Sequence, residues 1–338
     1  MLKLERQSIS WAIKSLNYHH DTYLFPFPFE YHAINESETD VLNHIRGLDI
    51  YKEGIRSYRT ALTPKSHLGF RIATQLDPID SIISHSILYE IWDSLESVRI
   101  PKTDNIVHSF RLSPQENGNL YDPEYNWGSF LKQANESTKD RSCNYVLKTD
   151  IADFFPSIYL HDIETVLSDA LLKKNKNAHG LVLVNYIKAM HLNQTHKGLP
   201  VGPQFSRPIA ELILDTLDRA LIDQNVKFIR FMDDYIAFFK TEADAYNTLA
   251  FMAQYLYDTR NLKLNEKKTL ILPKGEFKRT HLQSHRQVAS NNLRSHLHEL
   301  LKELGLSSDP YDDIELSNLD SDSVSAHFIH LAPFAFLC

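Results

Sequence analysis

The chain has 338 residues, of which 43% are hydrophobic and 23% are charged, and its formal net charge at pH 7 is −7. Such a composition suits one large or two smaller globular domains and excludes disordered, collagen-like and low-complexity classes. The negative charge argues against a protein that holds nucleic acid mainly through nonspecific phosphate contacts. The chain has two cysteines, Cys143 and Cys338. We therefore expect neither a disulfide framework nor a cysteine-based zinc site, and we expect the protein in a reducing cytoplasm.

The first half of the chain predicts mostly helix. Apolar residues recur between Leu4 and Leu16 among charged ones, which indicates an amphipathic helix and not a signal peptide. No apolar run approaches the ~20 residues that a membrane span needs. The elements that follow are a helical pattern over 36–58 with a cap at Ser37, an extended pair over 62–76, a helix over 79–95 that opens at Asp77-Pro78, strand and loop over 98–112, and a loop over 113–126.

The second half alternates strands and helices. Its elements are a strand over 144–150, helices over 161–174, 180–192 and 206–224, two strands over 226–232 and 235–240, a helix over 242–258, and a strand over 263–272. This order predicts an α+β fold with a split βαβ, ferredoxin-like sheet. Beyond Pro273 the pattern changes to a polar helix over 281–304, an acidic run over 307–323 and an apolar tail.

Two adjacent aspartates, Asp233 and Asp234, interrupt the apolar run FIRFMDDYIAFF (228–239). Burying ionised carboxylates is costly without a positive partner. Asp150 ends an earlier predicted strand, and we expect the three carboxylates to converge at one sheet edge. Such a set suits two Mg²⁺ ions, which would stand ~3.5–4 Å apart in a phosphoryl-transfer site. The competing interpretation is that the Asp-Asp pair only forms a hairpin turn.

Four segments, in this order, resemble motifs A to D of reverse transcriptases: KTDIADFFPSI (148–158), GLPVGPQFSRPIAELILDTLD (198–218), FIRFMDDYIAFF (228–239) and LKLNEKKTLI (262–271). Residues 63–88 resemble the fingers region of the same enzymes. The form GLPVGPQFSR, together with VHSFRLS (107–113) and WGSF (127–130), is most similar to bacterial abortive-infection and other defence reverse transcriptases.

The resemblance implies the fingers and palm of a right-hand polymerase, with a ferredoxin-like palm sheet. It divides the chain into an N-terminal and fingers region over 1–142, mostly helical, and a palm over 143–275. The reverse transcriptase domain would then cover about 60–275. A C-terminal helical segment over 276–338, short or truncated, is expected in place of the thumb.

The same resemblance assigns the metal site. Asp150, Asp233 and Asp234 would be catalytic and would hold two Mg²⁺ ions, for which Mn²⁺ is a substitute. The backbone carbonyl of Ile151 would help to hold one of them.

Nucleotide contacts follow from the motifs as well. Phe155 falls at the steric-gate position and implies a preference for deoxynucleotides, with core packing as the alternative. The motif B loop would bring Pro200 and Gly202 against the nucleotide. Lys268, or in its place Lys267, would protonate the leaving pyrophosphate.

Three basic residues are further candidates. Lys65, Arg71 and Arg111 would hold the triphosphate, and the alternative for each is ordinary surface charge.

The function implied is a nucleotidyltransferase: a DNA polymerase of a bacterial, cytoplasmic antiphage defence system. Synthesis from dNTPs would be template-independent and primed by a tyrosine that the sequence does not identify. The single-stranded DNA product would then be attached to the protein, which would form a homo-oligomer. The alternatives are an RNA-templated enzyme of retron or group II intron type and a noncatalytic scaffold.

Overall fold

The computed structural model describes residues 1–65, 69–190 and 197–282. In these ranges the α-helices are α1 (Arg6–His19), α2 (Glu30–Glu36), α3 (Glu38–Gly47), α4 (Pro78–Ser97), α5 (Trp127–Ser137), α6 (Phe154–Ser157), α7 (Leu160–Leu172), α8 (Asn177–Met190), α9 (Ser206–Asp223), α10 (Glu242–Arg260) and α11 (Lys274–Phe277). The strands are β1 (Tyr58–Pro64), β2 (Phe70–Leu76), β3 (Tyr145–Thr149), β4 (Lys227–Phe231), β5 (Asp234–Phe239) and β6 (Leu270–Pro273). Two 3-10 turns, Lys102–Asp104 and Glu266–Lys268, and a π-helical turn, Lys278–Leu282, complete the described elements.

The central sheet has the strand order β4-β5-β3-β6, and all of its neighbouring strands are antiparallel. Helices α6 to α9 lie in the chain between β3 and β4, and α10 lies between β5 and β6. Helix α10 packs on β3 and β5, and α9 packs on β4. This is the split βαβ, ferredoxin-like arrangement that the order of the elements predicts, so the α+β fold class is confirmed.

The N-terminal half is largely helical and carries a separate two-stranded sheet. Helix α1 packs on α3 and α4. Helix α4 begins as predicted, with Pro78 in its first turn and the Asp77 side chain accepting a hydrogen bond from the backbone N–H of Ile79. The extended pair over 62–76 is confirmed as the antiparallel hairpin β1–β2.

Some sequence expectations differ from the structure. The helical pattern over 36–58 ends at Gly47, and residues from Tyr58 onward belong to β1. Helix α5 was not predicted, although Asn126 and Ser129 form a capping box at its start. The predicted final strand over 263–272 is a bridge, a 3-10 turn and the short strand β6.

The C-terminal predictions lie outside the described residues. These are most of the polar helix over 281–304, the acidic run, the apolar tail and most of the helical segment over 276–338 in place of the thumb. None of the helices in the described ranges is long and apolar enough to cross a membrane.

Candidate active site

The two aspartates of FIRFMDDYIAFF lie on the predicted tight hairpin. Phe231 of β4 pairs with Asp234 of β5, which leaves Met232 and Asp233 as a two-residue turn. The first position of such a turn commonly has a positive φ, and Met232 has φ 51°. The strands are held in place because nearly all of their side chains are buried.

Strand β3 brings the third carboxylate to the same edge. Thr149 at the end of β3 pairs with Tyr235 of β5, so Asp150 leaves the sheet beside Asp234. Burial raises the pKa of the Asp233 carboxyl to about 7, and the negative charges of Asp234 and Asp150 contribute to the same shift. The three aspartates that the sequence singled out are therefore close enough to repel one another.

Lys268 supplies a positive charge at this edge. It lies on the 3-10 turn Glu266–Lys268, and its Nζ is 2.8 Å from Oδ2 of Asp150. Burial alone would lower the pKa of Lys268, but the hydrogen bond and charge of Asp150 outweigh it and raise the pKa above its ordinary value. Lys267, the competing candidate, and Lys268 are both exposed, but the salt bridge to Asp150 is made by Lys268. The structure thus brings Lys268, of these two lysines, into contact with the Asp150 carboxylate.

The residues present suit Mg²⁺ by their chemistry. Carboxylate oxygens are the ligands that Mg²⁺ prefers, and Oδ1 of Asp150 is buried without a hydrogen-bond partner. Among the described residues, no three or more His, Cys, Asp or Glu side chains already stand in a metal-ligating arrangement. Lys268 is instead the cation in contact with Asp150.

The Ile151 carbonyl points away from the segment that follows α10. Ile151 forms a bridge with Leu264, but the hydrogen bonds join its neighbours: Ala152 N–H to Lys263 O, and Asn265 N–H to Asp150 O. In such a pair the bridged residue's own N–H and C=O point away from the partner segment. The Ile151 carbonyl therefore points to the side on which β5 lies.

Phe154 and Phe155 have different surroundings. Phe154 is 2% exposed and belongs to the core, whereas Phe155 is only partly buried. The backbone carbonyl of Phe155 accepts a hydrogen bond of 2.8 Å from Leu199 N–H. Core packing therefore accounts for Phe154, and Phe155 lies where motif A meets the motif B loop.

The motif B loop is attached to the fingers hairpin. Val201 bridges to Ala73 of β2, and its carbonyl accepts a hydrogen bond of 2.7 Å from Thr74 N–H. Gly202 has φ 133°, and a Cβ placed on it would lie 2.1 Å from the Thr74 carbonyl oxygen. Only glycine fits this position. Pro200, two residues earlier, is buried.

One further residue holds this loop and was not singled out from the sequence. Asp21, 5% exposed, accepts hydrogen bonds from Gln204 N–H at 3.1 Å and from the Ser81 hydroxyl at 2.9 Å. The separation of 183 residues between Asp21 and Gln204 explains why no local pattern pointed to it.

Of the three triphosphate candidates, Lys65 and Arg71 lie at the same end of the β1–β2 hairpin, and Arg111 lies in the interior. Lys65 is exposed at the end of β1, and Arg71 is partly buried on β2. Arg111 is fully buried; it pairs with Glu96 at 3.0 Å and donates to the Ile100 carbonyl. Its interior position argues against the expectation that Arg111 binds a triphosphate, because the guanidinium already serves an internal ion pair.

Residues 85–285 match the family model described as reverse transcriptase (RNA-dependent DNA polymerase). No curated protein matches the sequence.

Two similar solved structures are telomerases. The first, from Candida albicans in complex with a fragment of telomeric RNA, is 9% identical with a TM-score of 0.45; the match covers 73% of this chain and 48% of that one. The second, from Candida tropicalis without its C-terminal domain, is 12% identical with a TM-score of 0.41 and coverages of 72% and 55%. The chain thus spans about half the length of these telomerase chains.

The family match includes the three aspartates and the four motif segments. The ferredoxin-like sheet, the helices around it and the fingers hairpin complete a fingers–palm arrangement. The chain belongs to the reverse transcriptase (RNA-dependent DNA polymerase) family.

Proposed function

We propose that the protein is a DNA polymerase that transfers deoxynucleotides by metal-assisted phosphoryl transfer, with Asp150, Asp233 and Asp234 as its catalytic acids. The observation that carries the proposal is the position of these carboxylates at one sheet edge, where burial and the charges of Asp234 and Asp150 raise the pKa of Asp233. Such mutual repulsion is a cost in a structural turn and an advantage in a site that binds cations.

The protein's own groups have distinct tasks in this reaction. The three carboxylates and the Ile151 carbonyl would hold two Mg²⁺ ions, which supply activation of the attacking hydroxyl and neutralisation of charge on the phosphates. Lys268, 2.8 Å from Asp150, would hold a proton for the departing pyrophosphate. Phe155, partly buried beside the motif B loop, would exclude a ribose 2′-hydroxyl.

The narrower proposal is untemplated, protein-primed synthesis in bacterial antiphage defence, by a homo-oligomer that carries its product covalently. Its support is the sequence resemblance of residues 198–207, 107–113 and 127–130 to abortive-infection enzymes. The first alternative is an RNA-templated polymerase of retron or group II intron type, and the second is a noncatalytic scaffold.

One experiment separates these proposals. The full chain is incubated with Mg²⁺ or Mn²⁺ and labelled dNTPs, without template or primer, and the products are run on a denaturing gel before and after protease. Label that stays with the protein until digestion supports protein priming. Label that appears only when RNA and a primer are added supports the templated alternative.

The control is the double variant Asp233→Ala, Asp234→Ala. It is expected to fold, because the two carboxylates repel each other in the absence of a cation. It is expected to incorporate nothing, because two of the three proposed metal ligands are removed. Incorporation by this variant would contradict the assignment of the acids. Failure of the wild-type protein to incorporate any dNTP with either metal would favour the scaffold.

A further inference from the structure

The turn that carries the two adjacent aspartates has an unusual backbone. Met232 has φ 51°, in the left-handed region that non-glycine residues other than Asn and Asp rarely occupy. Such a conformation costs on the order of 1–3 kcal/mol and persists where its surroundings hold it. Because Asp233 and Asp234 follow directly, whatever holds the Met232 peptide also sets the direction of the carboxylates.

One side chain holds the N–H of this residue. The hydroxyl of Ser109, which is fully buried, accepts a hydrogen bond of 2.7 Å from Met232 N–H. The same hydroxyl donates to a carboxylate oxygen of Glu211 on α9. Ser109 therefore joins the turn to helix α9 through a single oxygen.

The carbonyl of Met232 is held from the other side. Arg230, 1% exposed, donates to the Met232 carbonyl at 3.0 Å. Its guanidinium is fixed in turn by Asp218 at 2.6 Å and by Glu211 at 2.9 Å. The N–H and the C=O of Met232 thus both bond to one buried polar cluster, formed by Ser109, Arg230, Glu211 and Asp218.

The Ser109 side chain is not needed to hold its own segment in place. Residues 106–109 lie beside β4 through backbone bonds: His108 N–H donates to Arg230 O at 2.9 Å, and Arg230 N–H donates to Ile106 O at 2.8 Å. Removing the hydroxyl leaves these bonds intact. The same removal would take the Ser109 hydroxyl away from two buried polar groups, the Met232 N–H and one Glu211 oxygen.

We infer that Ser109 is a positioning residue: its hydroxyl fixes the Met232 peptide so that the Asp233 and Asp234 carboxylates point to a common cation. The inference rests on the proposed function, since it concerns how those acids hold a metal. Groups that orient metal ligands change metal affinity by about 10- to 100-fold when they are removed. A hydroxyl with only a packing role would have no such effect.

The test compares Ser109→Ala with Ser86→Ala in the full chain. Ser86 on α4 is equally buried, and its hydroxyl donates to the Ile82 carbonyl at 2.7 Å, so its removal orphans no N–H group. Mn²⁺ alone is the probe, and its affinity is measured from the electron paramagnetic resonance signal of the free ion. S109A is expected to bind Mn²⁺ about 10-fold or more weakly, and S86A like the wild type.

Amide exchange gives a second measurement that needs no metal. The Met232 N–H is expected to exchange faster with solvent deuterium in S109A than in the wild type or S86A, while the melting temperature shows that each variant is folded. Unchanged Mn²⁺ affinity with unchanged exchange in S109A overturns the inference. So does an S109A protein that does not fold, because that result assigns Ser109 a structural role.

Failure of the proposed function gives a different result. If the wild-type protein binds Mn²⁺ no better than the Asp233→Ala, Asp234→Ala variant, the metal site itself is wrong. Exchange at Met232 N–H then still decides whether the Ser109 hydroxyl holds the turn.

Discussion

Replacing Gly202 by alanine should detach or strain the motif B loop. Gly202 has φ 133°, outside the left-handed helical region that alanine can enter, and the added Cβ would lie 2.1 Å from the Thr74 carbonyl oxygen. That oxygen is part of the backbone of β2, so the contact is relieved only if one of the two segments moves.

The size of the effect follows from what the movement breaks. Holding alanine at this φ costs about 1–3 kcal/mol. Separating the loop from β2 instead breaks the hydrogen bond of 2.7 Å between Thr74 N–H and the Val201 carbonyl, worth about 1 kcal/mol. The expected loss in the free energy of unfolding is about 1–3 kcal/mol if the loop stays attached to β2, and about 1 kcal/mol if it detaches, out of a typical 5–15 kcal/mol.

Urea denaturation and dNTP kinetics together make the assay. Gly202→Ala is expected to lower the urea midpoint if the loop stays in place, or to raise the KM for dNTP if the loop detaches. Gly47→Ala is the matched control: nothing lies within 4 Å of its added Cβ, and it ends helix α3, where alanine is favourable. A Gly202→Ala protein with wild-type stability and wild-type KM would refute the reasoning.

Three further predictions follow from other contacts. Lys268→Ala should lower kcat for dNTP incorporation by about 100-fold or more, and the control Lys267→Ala should not; equal effects would contradict the assignment of Lys268. Phe155→Val should raise ribonucleotide incorporation relative to deoxynucleotide by about 10-fold or more, and an unchanged ratio would leave Phe155 with a packing role only. Glu90→Gln should destabilise the protein by about 1–3 kcal/mol at pH 7, because the carboxylate bonds to His179 at 2.7 Å. Burial by itself would raise the pKa of Glu90, but its hydrogen bonding, with His179 first, lowers that pKa. The carboxylate therefore stabilises the protein above the unfolded pKa of about 4.5, and this stabilisation is lost as the pH falls below it. Urea midpoints of the wild type and Glu90→Gln that differ equally at pH 7 and pH 3.5 would contradict this.

The sequence predicted the sheet well because its signals are local. Apolar runs of strand length stand on both sides of the Asp233-Asp234 pair, and the space between them admits only a tight turn. The order of strands and helices then left the ferredoxin-like arrangement as the natural choice. The three aspartates follow from that order, since each lies at or next to the end of a strand at the same edge.

The individual basic residues could not be assigned in this way. Arg111 reads as an available cation in a polar stretch, yet it is buried against Glu96. Lys268 matches the motif D lysine and its neighbour Lys267 competes with it in sequence, and on the 3-10 turn it is Lys268 that contacts Asp150. The ion-pair partner of a charged side chain depends on which distant segments pack together, and the local sequence does not contain this information.

The amino-acid sequence by itself determined the fold class, the strand order and the acids at the sheet edge, because periodicity and turn chemistry act over a few residues. Only the tertiary structure showed the cluster that holds the turn. Ser109 meets Met232 across 123 residues of chain and Glu211 across 102. Burial makes such contacts matter, since a polar group removed from water must find a partner wherever the fold supplies one.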